Sequence, residues 1–160
     1  MLSVLGHNPK FVATDFGGAV TFDPDTPNEA ALTMSMRAAS LMLIDEGRES
    51  DRETILRTMH DQVLESAKYP EISYRCDQAR PHALVPGQFE VTLEGDLTLH
   101  GVTRPQQISA KLNATASMFR AFGEFSVRQS DYDIKQVTVA ASMLKVKDEL
   151  TCTFDIVARR

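Results

Sequence analysis

From Gln88 to Ser117, apolar and polar residues alternate with a period of two, as they do in a strand with one dry face. Phe89, Val91, Leu93, Gly95, Leu97 and Leu99 share one phase; Gln88, Glu90, Thr92, Glu94, Asp96 and Thr98 share the other. After a turn read as His100-Gly101-Val102-Thr103-Arg104-Pro105 the pattern resumes. Ile108, Ala110, Leu112, Ala114 and Ala116 then oppose Gln107, Ser109, Lys111, Asn113, Thr115 and Ser117. The stretch predicts one long β-hairpin. About twelve residues at roughly 3.3 Å each give a strand near 40 Å. That is long for an open sheet, and it suits a barrel tall enough to enclose a ligand.

The same periodicity places shorter strands elsewhere. Phe11–Phe16 is extended, Gly17-Gly18 reads as a bend or bulge, and a second strand runs over Ala19–Asp23. Turn chemistry follows in Asp23-Pro24-Asp25-Thr26-Pro27-Asn28. Ala30, Leu32, Met34, Met36 and Ala38 then alternate with Ala31, Thr33, Ser35 and Arg37. Beyond a loop at Asp45-Glu46-Gly47, Ser50 and Glu53 form a capping-box pattern. It opens a helix whose apolar residues are Ile55, Leu56, Met59, Val63 and Leu64, with Pro70 beyond its end. Further strands are expected at Glu71–Asp77, at Phe119–Arg128 and over Leu150–Arg159. Ser130-Asp131-Tyr132-Asp133 reads as a turn, and Val137–Met143 fits either a strand or a helical turn. Strands, one helix, then strands again predict a single all-β domain over residues 1–160, with a helix packed on or capping the body.

Composition changes this picture little. The chain has 160 residues and a net charge of −5, enough to bury a core and too acidic to suggest a nucleic-acid surface. No apolar run reaches the roughly 20 residues of a membrane-spanning helix. Met1-Leu2-Ser3-Val4-Leu5 gives way at once to Gly6-His7-Asn8-Pro9, so no signal peptide is read. The expected compartment is cytoplasmic as written, or periplasmic if the start is truncated. Cys76 and Cys152 form no CxxC pair and are expected to be buried free thiols.

Several segments together resemble the YceI-like family of lipid- and polyisoprenoid-binding proteins. They are Thr21-Phe22-Asp23-Pro24-Asp25-Thr26-Pro27, Arg37-Ala38-Ala39-Ser40, Leu56-Arg57-Thr58, Tyr69-Pro70-Glu71-Ile72-Ser73-Tyr74, Gly95 to Pro105, and Val127-Arg128-Gln129-Ser130-Asp131-Tyr132. The resemblance implies an antiparallel lipocalin-like β-barrel of about eight strands with one α-helix. Its interior would hold an isoprenoid or other lipid chain and it would have no catalytic residue. Two departures are visible. The family's extra N-terminal strand precedes a segment that begins here near Val4, which implies a truncated or misassigned start or an open sheet edge, itself a pairing site for a second copy. Ile55 and Val63-Leu64-Glu65 also stand where many members carry a His and a Phe-Phe-Asp.

The candidate chemistry is sparse. His7, His60, His82 and His100 show no metal-ligand spacing, and a helix-surface role accounts for His60 beside Asp61 and Glu65. No nucleophile elbow is present. An enzyme using the cavity would need His100 or Asp131 as its base. The apolar inventory carries more weight: seven Met, among them Met34, Met36, Met59, Met118 and Met143, join Phe22, Phe89, Phe122, Phe125 and Phe154. Such side chains line adaptable cavities; pattern alone favours a filled core, and the family resemblance turns the reading toward a cavity.

The expected function is therefore non-catalytic binding of a polyisoprenoid (a quinone tail or polyprenyl phosphate) or a fatty chain, with no other cofactor and no metal. Expected contacts are Met34, Met36, Phe89, Val91, Leu93, Ile108, Leu112, Phe125 and Phe154, with Ile55 and Met59 from the helix and Arg57 as a head-group cation. The rival readings are an interaction module that pairs through an open edge as a homodimer, and the cavity-based enzyme.

Overall fold

Seven antiparallel strands build the wall of the molecule, and their register follows the alternation seen in the sequence. The computed structural model describes residues 9–23, 25–26, 29–44, 49–139, 144–145 and 147–159. Val4, His7, Pro24, Pro27, Asn28, the Asp45-Glu46-Gly47 loop and Met143 lie outside the described residues. The elements are β1 (Phe11–Ala13), β2 (Phe16–Thr21), β3 (Ala31–Arg37), β4 (Leu41–Leu43), α1 (Glu49–Thr58), β5 (Glu71–Val85), β6 (Gln88–Leu99), β7 (Val102–Ala114) and β8 (Met118–Arg128). They are followed by β9 (Thr138–Val139), β10 (Leu144–Lys145) and β11 (Glu149–Arg159). The large sheet runs in the order β11-β8-β7-β6-β5-β3-β2, and β1–β4 and β9–β10 are short separate ribbons.

The sheet curls into a half-barrel. Among the described residues its end strands, β2 and β11, share no ladder, so the barrel of about eight strands expected from the sequence takes the form of a curled seven-stranded sheet with two edges. Every residue of β2 is exposed. The core lies on the concave face, where Tyr74, Cys76, Val91, Leu93, Leu97, Leu99, Ile108, Leu112 and Val127 are packed in one cluster.

The long hairpin is as the alternation predicts, except that its turn is shorter. β6 and β7 pair from Gln88↔Asn113 to Leu99↔Val102, which leaves a two-residue loop, His100-Gly101. Both loop residues have positive φ, +52° and +73°, as the right-handed twist of a tight hairpin requires. Thr103, Arg104 and Pro105 therefore belong to β7. Pro105 is tolerated there because β8 joins β7 only between Ala110↔Gly123 and Ala114↔Phe119. Below that point the two strands splay, and a 3₁₀ turn at Gln129–Tyr132 contacts both.

Other departures from the sequence reading have local causes. Gly17-Gly18 is no bend: β2 runs straight through it, pairing Gly18 with Met34. A Cβ on Gly18 would strike the Thr33 carbonyl and lie 2.6 Å from the Met34 sulfur, so the glycine permits close strand approach. The bend falls instead at residues 14–15, between β1 and β2. Ser50 lies inside α1, where its carbonyl accepts from the Thr54 hydroxyl at 2.9 Å. The helix runs on into a π-turn at Met59–Val63, and the chain reverses at Glu65, whose φ is +44°.

β5 extends eight residues past the expected Asp77, because the register shift between Arg75 and Gln78 lets the strand resume beyond a bulge. Pro81 sits in this second half, paired with Val91 of β6 on one side, while β3 reaches only as far as Cys76 on the other. Tyr74 covers Gly95, and its hydroxyl donates to the Gln106 carbonyl at 2.9 Å; burial pushes the phenol well up. A methyl group at Gly95 would sit 2.8 Å from the Tyr74 ring and against the Arg75 carbonyl. Gly95→Ala is therefore expected to cost about 1–3 kcal/mol by overpacking. Urea denaturation reads this directly, and an unchanged midpoint would show that β5 can yield.

Candidate ligand-binding site

The concave face has a filled floor and less completely covered flanks. Val91, Leu93, Ile108 and Leu112 from the β6–β7 hairpin are buried, and Met59 from the π-turn is buried in the same cluster. Phe89, Phe125 and Phe154 are half-buried and pack against that cluster. Met34 and Met36 of β3 and Ile55 of α1 are also half-buried, but they stand outside it. Arg57 is exposed on α1. The hairpin phases thus bring together the expected central residues. Phe122 points the other way, to the outer face, with the Arg120 guanidinium 5.8 Å from its ring.

An aromatic cluster that adds Phe22 and Phe119 to the expected contact Phe89 closes one part of this face. Phe22, just after β2, meets Phe89 edge-on at 5.2 Å and Phe119 of β8 edge-on at 5.6 Å. These rings border a cleft of about 300 Å³ lined by Val20, Thr21, Phe22, Phe119, Ala158 and Arg159. The cleft is therefore the seam where the two sheet edges approach. Sequence pattern could have suggested Phe119, which shares the phase of Ala121 and Val127; Phe22, in the strand expected over Ala19–Asp23 and named among the candidate cavity rings, gave no sign of its partners Phe89 and Phe119.

A second cleft, of about 660 Å³, follows one register row from Val91 through Ala110 and Gly123 to Phe154. Glu90, Thr92, Ser109, Lys111, Phe122, Glu124 and Asp155 flank it. Cys152 is half-buried on β11, and burial pushes its thiol up, which keeps it protonated and poorly nucleophilic. Cys76 is fully buried, and both thiols are free.

Polar side chains fasten the helix end to the hairpin turn. The His100 ring is buried, with Nδ1 3.1 Å from the Tyr132 carbonyl and Nε2 2.8 Å from a Glu65 carboxylate oxygen. Tyr69 stacks on it with ring centroids 4.3 Å apart. The Tyr132 carbonyl can only accept, so Nδ1 is the donor in that contact, and Nε2 faces the Glu65 carboxylate. Both ring nitrogens are thereby engaged. His60, read from sequence as a neighbour of Glu65, instead faces the Leu41 carbonyl at 3.1 Å and the Ser66 hydroxyl at 3.3 Å. Asp131 offers its backbone carbonyl to Arg104. No helix among the described residues is long and apolar enough to cross a membrane.

The model of the YceI-like domain matches residues 4–158. The chain belongs to the YceI-like family. This YceI-like chain is 32% identical over 98 residues to a UPF0312 protein of Photorhabdus laumondii, a match covering 61% of the chain and 45% of that protein. It is 30% identical over 98 residues to protein YceI of Escherichia coli O157:H7, covering 61% and 46%. The YceI-like chain spans about half the length of the curated relatives it matches. Among solved structures, BcnA of Burkholderia cenocepacia superposes with a TM-score of 0.71 at 18% identity, over 92% of this chain and 86% of that one. A polyisoprenoid binding domain from Saccharophagus degradans, implicated in plant cell wall breakdown, superposes with a TM-score of 0.63 at 10% identity, over 93% and 84%. At such identities the likeness is one of fold.

Proposed function

We propose that this YceI-like chain binds one hydrophobic isoprenoid or lipid chain along the concave face of its half-barrel and does no chemistry on it. The observation that carries the reading is the set of large apolar side chains (Met34, Met36, Phe89, Phe125 and Phe154) that keep solvent access beside a buried floor of Val91, Leu93, Ile108 and Leu112. Ile55 and Met59 contribute from the helix side. The fold shared with a polyisoprenoid binding domain supports the same reading. Each five-carbon unit taken from water contributes about 3–4 kcal/mol at roughly 0.8 kcal/mol per methylene, before the cost of ordering the chain. A few units therefore suffice for useful affinity.

Native mass spectrometry and organic extraction of the purified protein are expected to reveal a bound lipid. Geranylgeraniol added to stripped protein at about 100 times its dissociation constant should stabilise the fold by roughly 2.7 kcal/mol. For a domain of this size that raises the melting temperature by several degrees. Protein that is consistently empty, and whose melting is unmoved by the added isoprenoid, would overturn the reading.

A further inference from the structure

We infer that the seam between β2 and β11 is the port of the half-barrel and that it seats the phosphate head of an amphiphile, with Arg159 as the head-group cation. The inference rests on the hydrophobic-chain reading above and adds the chemistry of the ligand's other end.

Three observations point to the seam. First, β2 and β11 stand at opposite ends of the sheet order, so parting them breaks no main-chain ladder among the described residues. The larger cleft, by contrast, follows a row of strands that are hydrogen-bonded to one another, from β6 to β11. Second, the seam leads inward along aromatic rings: Phe119 and Phe22 meet in the cleft, and Phe22 touches Phe89 on the concave face. Hydrocarbon passing that way stays in apolar contact throughout.

Third, the charge at the two clefts is opposite in kind. Among the described residues, the seam is lined by Arg159 and the Thr21 hydroxyl with no carboxylate, whereas Glu90, Glu124 and Asp155 line the other cleft with Lys111 as its one cation. Arg159 is exposed and forms no ion pair with a carboxylate among the described residues. Arg120 is differently placed, held to both Asp155 oxygens at 2.9 and 2.7 Å. A guanidinium presents a planar fork that matches phosphate oxygens two at a time. A cleft of about 300 Å³ lies at the small end of ligand pockets, right for a head group and its first carbons.

The test compares geranylgeranyl phosphate with geranylgeraniol, which share one hydrocarbon. Wild-type protein is expected to bind the phosphate on the order of 10-fold more tightly, as a charge-assisted pair provides. Arg159→Gln should bring the two affinities together while leaving that for the alcohol unchanged. Val20→Trp, which fills the cleft from an exposed position, should slow loading and release of both ligands by roughly an order of magnitude or more. An unchanged preference in Arg159→Gln, or wild-type loading rates in Val20→Trp, would overturn the inference while the hydrophobic-chain reading stands. Equal affinity of the wild type for both ligands would do the same. Failure of the wild type to bind either would bring down the chain-binding reading and the port with it.

Discussion

Phe22→Ala is expected to remove about 3–5 kcal/mol of stability, the range found when a buried phenylalanine is truncated. Phe22 is only 8% exposed and meets two other rings edge-on. Its position makes the loss hard to relax. The ring joins the stretch after β2 to Phe119 of β8 across a gap that no strand ladder spans among the described residues, so little main-chain bonding there guides the two sides together as the cavity collapses. Against a total stability of roughly 5–15 kcal/mol, this is a large fraction. Urea unfolding should show a lower midpoint with an unchanged slope, and the melting temperature should fall by roughly 10 °C. A fall of less than about 2 °C would mean that the neighbouring rings close the gap and that the seam is more plastic than its geometry suggests.

His100→Ala is expected to cost about 2–3 kcal/mol. The substitution removes the contact to the Tyr132 carbonyl, the contact of Nε2 with Glu65 and the tilted ring contact with Tyr69. It also leaves alanine at a φ of +52°, which alanine tolerates poorly. The Glu65 side is the smaller share, because that carboxylate is 40% exposed and regains water. Glu65→Gln keeps a hydrogen-bonding partner facing Nε2 and should therefore cost about 1 kcal/mol or less. A double-mutant cycle in thermal denaturation separates the two contributions. If His100→Ala proved no worse than Glu65→Gln, the latch would be an incidental contact rather than a fastening of the helix end to the hairpin turn.

Much of the wall was legible because strand alternation is a local signal. The phases of Phe89–Leu99 and Ile108–Leu112 lie where the residues' own chemistry puts them, with Val91, Leu93, Leu97, Leu99, Ile108 and Leu112 inside. Features set by a second strand were less legible. The strand expected over Glu71–Asp77 continues through Pro81 because β3 stops at Cys76, leaving that side of β5 without a ladder partner among the described residues. Gly17-Gly18 reads as a hinge until the approach of Thr33 and Met34 is seen. His100 looked like an ordinary turn residue because its partners, Glu65 and Tyr132, come from distant segments. The same holds for the candidate site: its central hairpin residues follow from phase, while the seam exists only because the two ends of the sheet curl toward one another.

The meander from β5 to β8 joins strands that follow one another in sequence, so each can zip onto its predecessor with little loop to close. The seam is the opposite case, bringing residues near the start of the chain beside residues near its end. Loop entropy therefore sets its closure late on the folding route, after the hairpins have formed. A nascent chain would carry its curved wall complete while that flank still stood ajar.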